Sequence, residues 1–332
     1  MRKPLIRAAI IVLGLAVCAC APHFPLPGKE VAQPRFTRQP GVVASDGAVL
    51  GLEQWGPARP RAVIVAVHGM NDYSNAFADP AAVFAADGIA TLAFDQRGFG
   101  RTPPAGLWPG TPVLVRDLDD VVTATCEKYP DVPVFVLGES MGAAVAALWV
   151  EKTGARNVRG VILSAPAVWG WQTLNPLYSA ALSLSARIFP AKTFTGGRLK
   201  IWPSDNIEML RALSRDPLVI KATRADAIYG LVSLMDEASR GAPKMSDIPI
   251  FVLYGHHDQI IPPDPVRKAF GARLRGGIAN TRVAYYPHGY HMLLRDLSRA
   301  TVDRDIVAWI DDRKAPLPSG AEVHTLDDLS RD

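Results

Sequence analysis

Cysteine and charge of a single sign are both scarce in this sequence. Three cysteines in 332 residues are too few for a disulfide scaffold. Lys and Arg number 36 against 32 Asp and Glu, so the formal net charge is only +4. Hydrophobic residues make up 48% of the chain and charged residues 20%, which is ordinary for a packed globular protein and excludes disorder for most of its length.

Most of that small positive charge belongs to the first residues of the chain. Arg2, Lys3 and Arg7 supply three of the four net charges, and residues 1–20 contain no acid. Without these three the rest of the chain carries about +1, too little for the basic surface that nucleic acid requires. Nucleic-acid binding is therefore not expected.

Residues 1–20 have the pattern of a secretory signal peptide. A basic start is followed by the apolar run Ala8–Val17, which is short for a membrane span of about 20 residues, and then by small residues. The end of this segment resembles the lipobox of bacterial lipoproteins, in which a cysteine is lipidated and becomes the new N-terminus. Cys20 is the better match, because bulky Val17 directly precedes the alternative, Cys18.

The lipobox resemblance implies an exported protein that is anchored in a membrane through lipid on Cys20. Ala21 after this cysteine favours the outer membrane, with the domain facing the periplasm. Secretion as a soluble periplasmic protein is the alternative. Processing at Cys20 leaves Cys126 as the lone thiol, and we expect it to be a small core residue.

The remaining chain divides into four segments by composition. Residues 21–40 carry five prolines and are predicted to be a tether. Residues 41–312 alternate short apolar runs with helical patterns, which predicts an α/β fold with a mostly parallel sheet flanked by helices. This alternation stops over about 167–244, where helical composition predicts an inserted cap. Residues 313–332 form a polar tail that we expect to fray.

A nucleophile is predicted at Ser140. The strand Val134–Leu137 runs into Gly138-Glu139-Ser140-Met141-Gly142, and an alanine-rich helix follows. This is the G-x-S-x-G pattern in its required strand-turn-helix context, which projects the serine hydroxyl over the edge of a sheet. The helix start directs its backbone amides at the reacting centre, where negative charge develops.

A serine needs a base, and the base needs an orienting acid, which follow in the order acid then histidine in this architecture. Asp258 comes just after a predicted strand that ends at Gly255, on the edge where sites form in open α/β sheets. It is the predicted acid. Asp264 is the alternative, although its flanking prolines favour a role in capping the next helix.

Two histidines compete for the role of base. His291 lies past Gly289, in a loop that can bring it to Ser140, and is preferred over His288, which adjoins the strand end. Together with His256 and His257 they suggest a metal site, but none has the spacing that zinc hydrolases use. No metal and no cofactor are expected.

Two backbone amides are predicted to form an oxyanion hole. The amide of Met141 directly follows the nucleophile, and that of Met70 lies in the loop His68-Gly69-Met70 after an early strand. Acyl transfer passes through a tetrahedral oxyanion that needs such a pair of donors.

These segments resemble the monoacylglycerol lipase and lysophospholipase branch of the α/β-hydrolase superfamily, which is often labelled serine aminopeptidase-like. The resemblance covers residues 41–312 and rests on the segments described above, together with Asp95-Gln96-Arg97-Gly98-Phe99-Gly100, which in the family shapes a loop. It implies an α/β-hydrolase fold with Ser140, Asp258 and His291 as the triad. The chain departs from the family pattern at Met70-Asn71-Asp72, where a glutamate is usual.

The implied activity is that of a serine hydrolase that cleaves carboxylic esters through an acyl-enzyme. Its expected substrates are lipid-derived, such as monoacylglycerols or lysophospholipids. One alternative is a peptidase or amidase of the same fold, for which Asp72, Glu139 and Asp205 are the candidate groups to capture a free amine. The other is a surface lipoprotein that keeps the fold without catalysis.

Overall fold

A computed structural model describes residues 22–155, 157–196, 200–275 and 280–323. The predicted signal segment 1–20, with Cys18 and Cys20, lies outside the described residues, as do residues 324–332 of the predicted tail. The strands are β1 Arg35–Phe36, β2 Gly41–Val43, β3 Val49–Trp55, β4 Ala62–Val67, β5 Ile89–Phe94, β6 Val134–Glu139, β7 Gly160–Ser164, β8 Thr193–Phe194, β9 Thr223–Arg224, β10 Ile250–Gly255, β11 Thr281–Tyr286 and β12 Glu322–Val323. The helices are α1 Ala78–Ala86, α2 Thr111–Lys128, α3 Met141–Thr153, α4 Pro176–Ile188, α5 Ile207–Arg215, α6 Ala225–Gly241, α7 Pro263–Arg275 and α8 Arg299–Asp311, with short 3₁₀ turns at Ser74–Phe77 and Ala242–Lys244.

One ten-stranded sheet runs through the molecule in the order β1-β2-β3-β5-β4-β6-β7-β10-β11-β12. From β5 to β11 the pairs are parallel, which confirms the predicted α/β architecture. The central strands are buried along their whole length because helices cover both faces, so their sequences are continuous apolar runs. The hairpin of β2 and β3 is confirmed as antiparallel.

Helices cover the sheet on both sides. One face carries α2, α3 and α7, whose apolar side chains join the larger core. The other face carries α1 and α8, and Trp309 of α8 stacks on Phe251 of β10 with 5.5 Å between ring centroids. The parallel strands consequently present their carboxyl ends at one common edge, where the predicted site residues follow β4, β6, β10 and β11.

The segment between β7 and β10 contains α4, α5 and α6, where the helical cap was predicted. It also contains the short antiparallel pair of β8 and β9, which the sequence did not predict because two-residue strands leave no alternation to detect. Helix α6 joins this segment to the core by packing on α3. At Gly230 of α6 a Cβ atom would lie 2.4 Å from the Trp108 ring, so the approach depends on the missing side chain.

The segments at both ends of the described chain lie against the domain. Phe24 contacts the rings of Trp108 and Tyr229, and β1 adds to the sheet. At the other end, β12 pairs with β11. Among the residues that the structure describes, no helix is both long enough and apolar enough to cross a bilayer.

The close packing of α6 predicts that Gly230→Ala destabilises the protein by about 1–3 kcal/mol, because the added methyl group overpacks against Trp108. Thermal unfolding measures the effect. Gly241→Ala in the same helix is the control, since its Cβ meets only the flexible end of Leu148 and gains the same helix propensity. Equal melting temperatures for the two variants would contradict this account of the contact.

Candidate active site

The turn that carries Ser140 is sharply constrained. β6 ends at Glu139, Ser140 has φ 55° and ψ −114°, and α3 begins at the next residue. A Cβ atom at Gly142 would lie 2.0 Å from the carbonyl oxygen of Val67, and one at Gly138 would lie 2.5 Å from the carbonyl oxygen of Gly142. Both obstacles are backbone atoms, so only glycine fits, and the strained serine backbone is held in place by its surroundings.

The structure brings the three predicted triad side chains together. The Oγ of Ser140 lies 2.9 Å from Nε2 of His291, and Nδ1 of the same ring lies 2.8 Å from Oδ2 of Asp258. The other oxygen of Asp258 accepts hydrogen bonds from the amides of Ile260 and Ile261, at 2.8 and 2.9 Å. The carboxylate is thereby fixed, and it orients the imidazole toward the serine.

Two glycines allow the loops that carry Asp258 and His291 to approach each other. A Cβ atom at Gly255, the last residue of β10, would lie 2.5 Å from the carbonyl oxygen of Gly289. The competing candidates lie elsewhere: Asp264 is exposed in the first turn of α7, where it pairs with Arg267, and His288 is exposed at the surface.

The predicted oxyanion donors flank Ser140. Met141 is the first residue of α3, so its amide is one of those at a helix start that have no acceptor within the helix. Gly69 lies against the nucleophile, with its ideal Cβ position 3.4 Å from the Cβ of Ser140, and Met70 is the next residue. The helix start adds a partial positive charge at the same point.

The loop after β5 supports the loop that carries Met70. The amide of Gln96 donates to Nε2 of His68 at 3.0 Å, and the Gln96 side chain donates to the His68 carbonyl at 2.8 Å. Burial lowers the pKa of His68, so its ring is neutral and structural. Asp95 accepts from the amides of Ser74 and Arg101, both at 2.9 Å.

A buried ion cluster that the sequence did not predict lies beside the triad. Nη1 of Arg295 donates to Asp72 at 2.7 Å, and Nη2 donates to Glu139 at 3.1 Å. All three side chains are buried. Asp72 follows Met70, Glu139 precedes Ser140, and Arg295 follows His291, so one guanidinium connects the three loops of the site. The only signal in the sequence was a carboxylate beside each of two predicted site residues.

The charges of the site act on His291. Burial by itself lowers the pKa of this imidazole, but the carboxylates of Asp258 and Glu139 raise it by more, and Arg295 opposes them in part. The net pKa of His291 therefore lies above its ordinary value. Burial also raises the pKa of Glu139, against the pull of Arg295.

An apolar pocket of about 810 Å³ opens over Ser140. Its walls come mainly from the cap, with Leu182 on α4 and Leu231 and Met235 on α6, while Asp72, Glu139 and Arg295 lie at its polar end. The arrangement places an activated hydroxyl at the junction of an apolar chamber and a charged end. Such a site suits a molecule with one apolar and one polar part.

The histidines that first suggested a metal site do not gather around one point. His256 and His257 are exposed, and His256 contacts the hydroxyl of Tyr285. Among the described residues, no group of three or more His, Cys, Asp or Glu side chains is placed to hold a metal ion.

Comparison with known proteins places the chain among lipases and esterases in sequence. It is 27% identical to the monoacylglycerol lipase of Mycolicibacterium smegmatis over 299 residues, which cover 82% of this chain and 97% of the relative. It is also 27% identical to the human monoglyceride lipase over 310 residues, 86% of this chain and 97% of the relative.

A solved structure agrees with the fold. The monoglyceride lipase of Saccharomyces cerevisiae, a soluble variant in complex with a substrate analogue, superposes with a TM-score of 0.68 at 20% identity, over 88% of this chain and 99% of that one. The profile of the Hydrolase_4 family, described as serine aminopeptidase, S33, matches residues 58–298. Since the match spans well over half of the 332 residues, the chain belongs to this family of α/β-hydrolases.

Proposed function

We propose that the protein hydrolyses carboxylic esters of lipids, such as monoacylglycerols or lysophospholipids, through an acyl-enzyme on Ser140. The observation that carries the proposal is the hydrogen-bonded series Ser140, His291 and Asp258 at the floor of an apolar pocket of about 810 Å³. The relatives named monoacylglycerol or monoglyceride lipase support the same reaction class.

The reaction follows from the geometry. Ser140 gives its proton to Nε2 of His291 as its oxygen attacks the ester carbonyl, and the amides of Met70 and Met141 receive the developing oxyanion. The imidazolium, held by Asp258, then protonates the departing alcohol. Water attacks the acyl-enzyme with His291 again as base, which releases the fatty acid and restores the serine.

The pocket favours an ester with an acyl chain. Its cap walls offer aliphatic and aromatic contacts to a hydrocarbon chain, and a volume of several hundred Å³ matches sites for ligands of this size. The polar head of the substrate then lies toward Asp72, Glu139 and Arg295.

The same charged end argues against amine capture by an aminopeptidase. Asp72 and Glu139 both accept from Arg295, so an ammonium group competes with a buried guanidinium for them. The third candidate, Asp205, accepts from the amide of Leu297. Ester hydrolysis therefore fits the charge arrangement better.

We also propose that the protein is exported and anchored in the outer membrane, facing the periplasm, by lipid on Cys20. The support lies in the sequence: a basic start, an apolar run and a small residue before the cysteine. Secretion without lipidation remains the alternative that the experiment below distinguishes.

Ser140→Ala is expected to lower the hydrolysis of a p-nitrophenyl ester by roughly 10⁴-fold or more, because the nucleophile is lost. It also abolishes labelling by a fluorophosphonate probe, with an unchanged melting temperature. Ser185→Ala is the matched control, since this serine lines the same pocket on α4. A folded wild-type protein that the probe does not label would favour the non-catalytic alternative, and full activity in Ser140→Ala would exclude the assigned nucleophile.

The pH profile tests the charge around His291. The base works only as neutral imidazole, so kcat/KM falls as pH drops through its pKa, at a midpoint above 6.5. Glu139→Gln removes a charge that raises this pKa and is expected to move the acid limb to lower pH. Asp264→Asn, an exposed carboxylate on α7, is the control and leaves the limb in place. An identical limb in wild type and Glu139→Gln would refute the coupling.

Cys20→Ser is expected to abolish incorporation of labelled palmitate and to release the protein from the membrane fraction. Cys18→Ser is the matched control and retains the label. The opposite pattern would assign lipidation to Cys18, and absence of label from the wild-type chain would refute lipidation altogether. Metabolic labelling followed by fractionation of cells makes both measurements.

A further inference from the structure

The cap helix α4 carries apolar side chains on a second face that does not line the pocket. Leu177, Leu184 and Ile188 recur at spacings of seven and four residues, so they share one face of the helix, which we name the outer face of α4. Their relative exposures are 73%, 51% and 56%, and the adjacent Phe189 is 63% exposed. The neighbouring face holds Leu182 and Ser185, which line the pocket.

Exposed large apolar side chains are concentrated in this part of the molecule. Among the described residues, nine of the fourteen large hydrophobics that are exposed fall between positions 177 and 207. Phe194 is both exposed and part of the pocket wall, so apolar surface continues from the outside of the cap to the pocket. A concentration of this kind marks a surface that binds a partner.

The charge pattern around the outer face of α4 favours an anionic partner. Residues 153–204 contain no Asp or Glu, although acids make up about a tenth of the chain. From the start of α4 to the end of this stretch there are four basic residues, Arg187, Lys192, Arg198 and Lys200. Basic groups beside exposed leucine, isoleucine and phenylalanine are the composition of helices that lie in the interface of an anionic bilayer.

The start of the described chain gives the direction of the membrane. Residues Pro22–Leu26, which we name the N-terminal strap, line a groove of about 660 Å³ together with Ala186 and Arg187 of α4. Phe24 of the strap contacts Trp108 of the core and Tyr229 of α6, at 6.5 and 6.4 Å between ring centroids. Arg116 adds a hydrogen bond to the carbonyl of Gly28 at 2.6 Å.

The strap limits the distance between the domain and a lipid on Cys20. Two residues separate Cys20 from Pro22, and an extended chain spans at most about 3.6 Å per residue, so the anchor attaches within about 7 Å of the strap. Since the strap shares its groove with the C-terminal end of α4, a membrane that holds the anchor must pass close to that helix.

From these observations we propose that the outer face of α4 docks on an anionic phospholipid bilayer, and that the N-terminal strap fixes this orientation. The pocket mouth then faces the bilayer, so an amphiphilic substrate reaches Ser140 directly from the lipid phase. The docking goes beyond the proposed hydrolysis, and its orientation rests on the proposed anchor at Cys20.

The experiment uses the full chain, reconstituted in vesicles of phosphatidylethanolamine and phosphatidylglycerol. In a Cys126→Ser background, Leu184→Cys is labelled with an environment-sensitive fluorophore, and Val49→Cys, a similarly exposed apolar site on β3, is the control. We expect a blue shift and quenching by bromine-labelled lipid at position 184 only. Equal signals at both positions would overturn the proposal. A blue shift without lipid quenching, together with dimerisation in detergent, would assign the face to a second copy of the chain.

Activity provides an independent arm. The double variant Leu184→Glu and Ile188→Glu touches no residue of the pocket wall, so it is expected to hydrolyse a soluble p-nitrophenyl ester normally. Its hydrolysis of monoacylglycerol within vesicles is expected to fall by roughly tenfold, because two acids oppose an apolar and anionic interface. Val49→Glu is the control. Equal vesicle activity in the double variant and the control would overturn the docking.

The strap has its own variant. Phe24→Ala removes the contacts with Trp108 and Tyr229, so the anchored chain is expected to stay in the vesicles but to lose most of the lipid quenching at position 184. Unchanged quenching would overturn the orienting role. A wild-type protein with no soluble ester hydrolysis would instead refute the proposed function, and the fluorescence result would stand apart from it.

Discussion

The buried guanidinium of Arg295 is the contact on which the geometry of the whole site depends. It binds Asp72 and Glu139, and through them it connects the loops that carry Met70, Ser140 and His291. A guanidinium suits this position because its planar, rigid set of donors can bind two carboxylates at fixed angles. Removal of a charge from water is expensive, and only well-placed partners offset that cost. The cluster therefore holds the three loops in one arrangement.

The same cluster also shapes the charge around the base. Two carboxylates and one guanidinium leave an excess of negative charge near His291 when both acids are ionised. That charge adds to the effect of Asp258 and stabilises the imidazolium that forms during attack. Glu139 occupies the position next to the nucleophile, so a residue that the elbow pattern leaves unspecified connects the fixed turn to the electrostatics of the base.

The parts that the sequence predicted are those encoded by local patterns. Gly138 and Gly142 are required because their neighbours are backbone atoms, so the elbow has a short signature that can be recognised without a structure. The strands end where apolar runs give way to Gly255 or Ser140, which placed the candidate residues at one sheet edge. Arg295 was missed because its partners lie 223 and 156 residues away, and no local pattern records a pairing of that range.

The cap was predicted by composition, but its two faces were not separable in the sequence. Leu182 and Leu184 are two positions apart and chemically identical, yet one lines the pocket and the other is exposed, because the direction of a side chain depends on how the helix is packed. The strap was equally hidden, since proline-rich composition predicts extended chain but not whether Phe24 finds two aromatic rings.

The position of the cap and the position of the base are physically connected. Ser204, between β8 and α5, donates to Asp296 at 2.5 Å, and the other oxygen of Asp296 accepts from the amide of Tyr290 at 2.7 Å. The amide of Met292 donates to the carbonyl of Pro203 at 2.9 Å. His291 therefore lies between two residues that are tied to the cap. A contact that moves the cap, including a lipid surface against α4, acts on the loop that aligns the imidazole with Ser140. Substrate entry and the geometry of the base consequently depend on the same element.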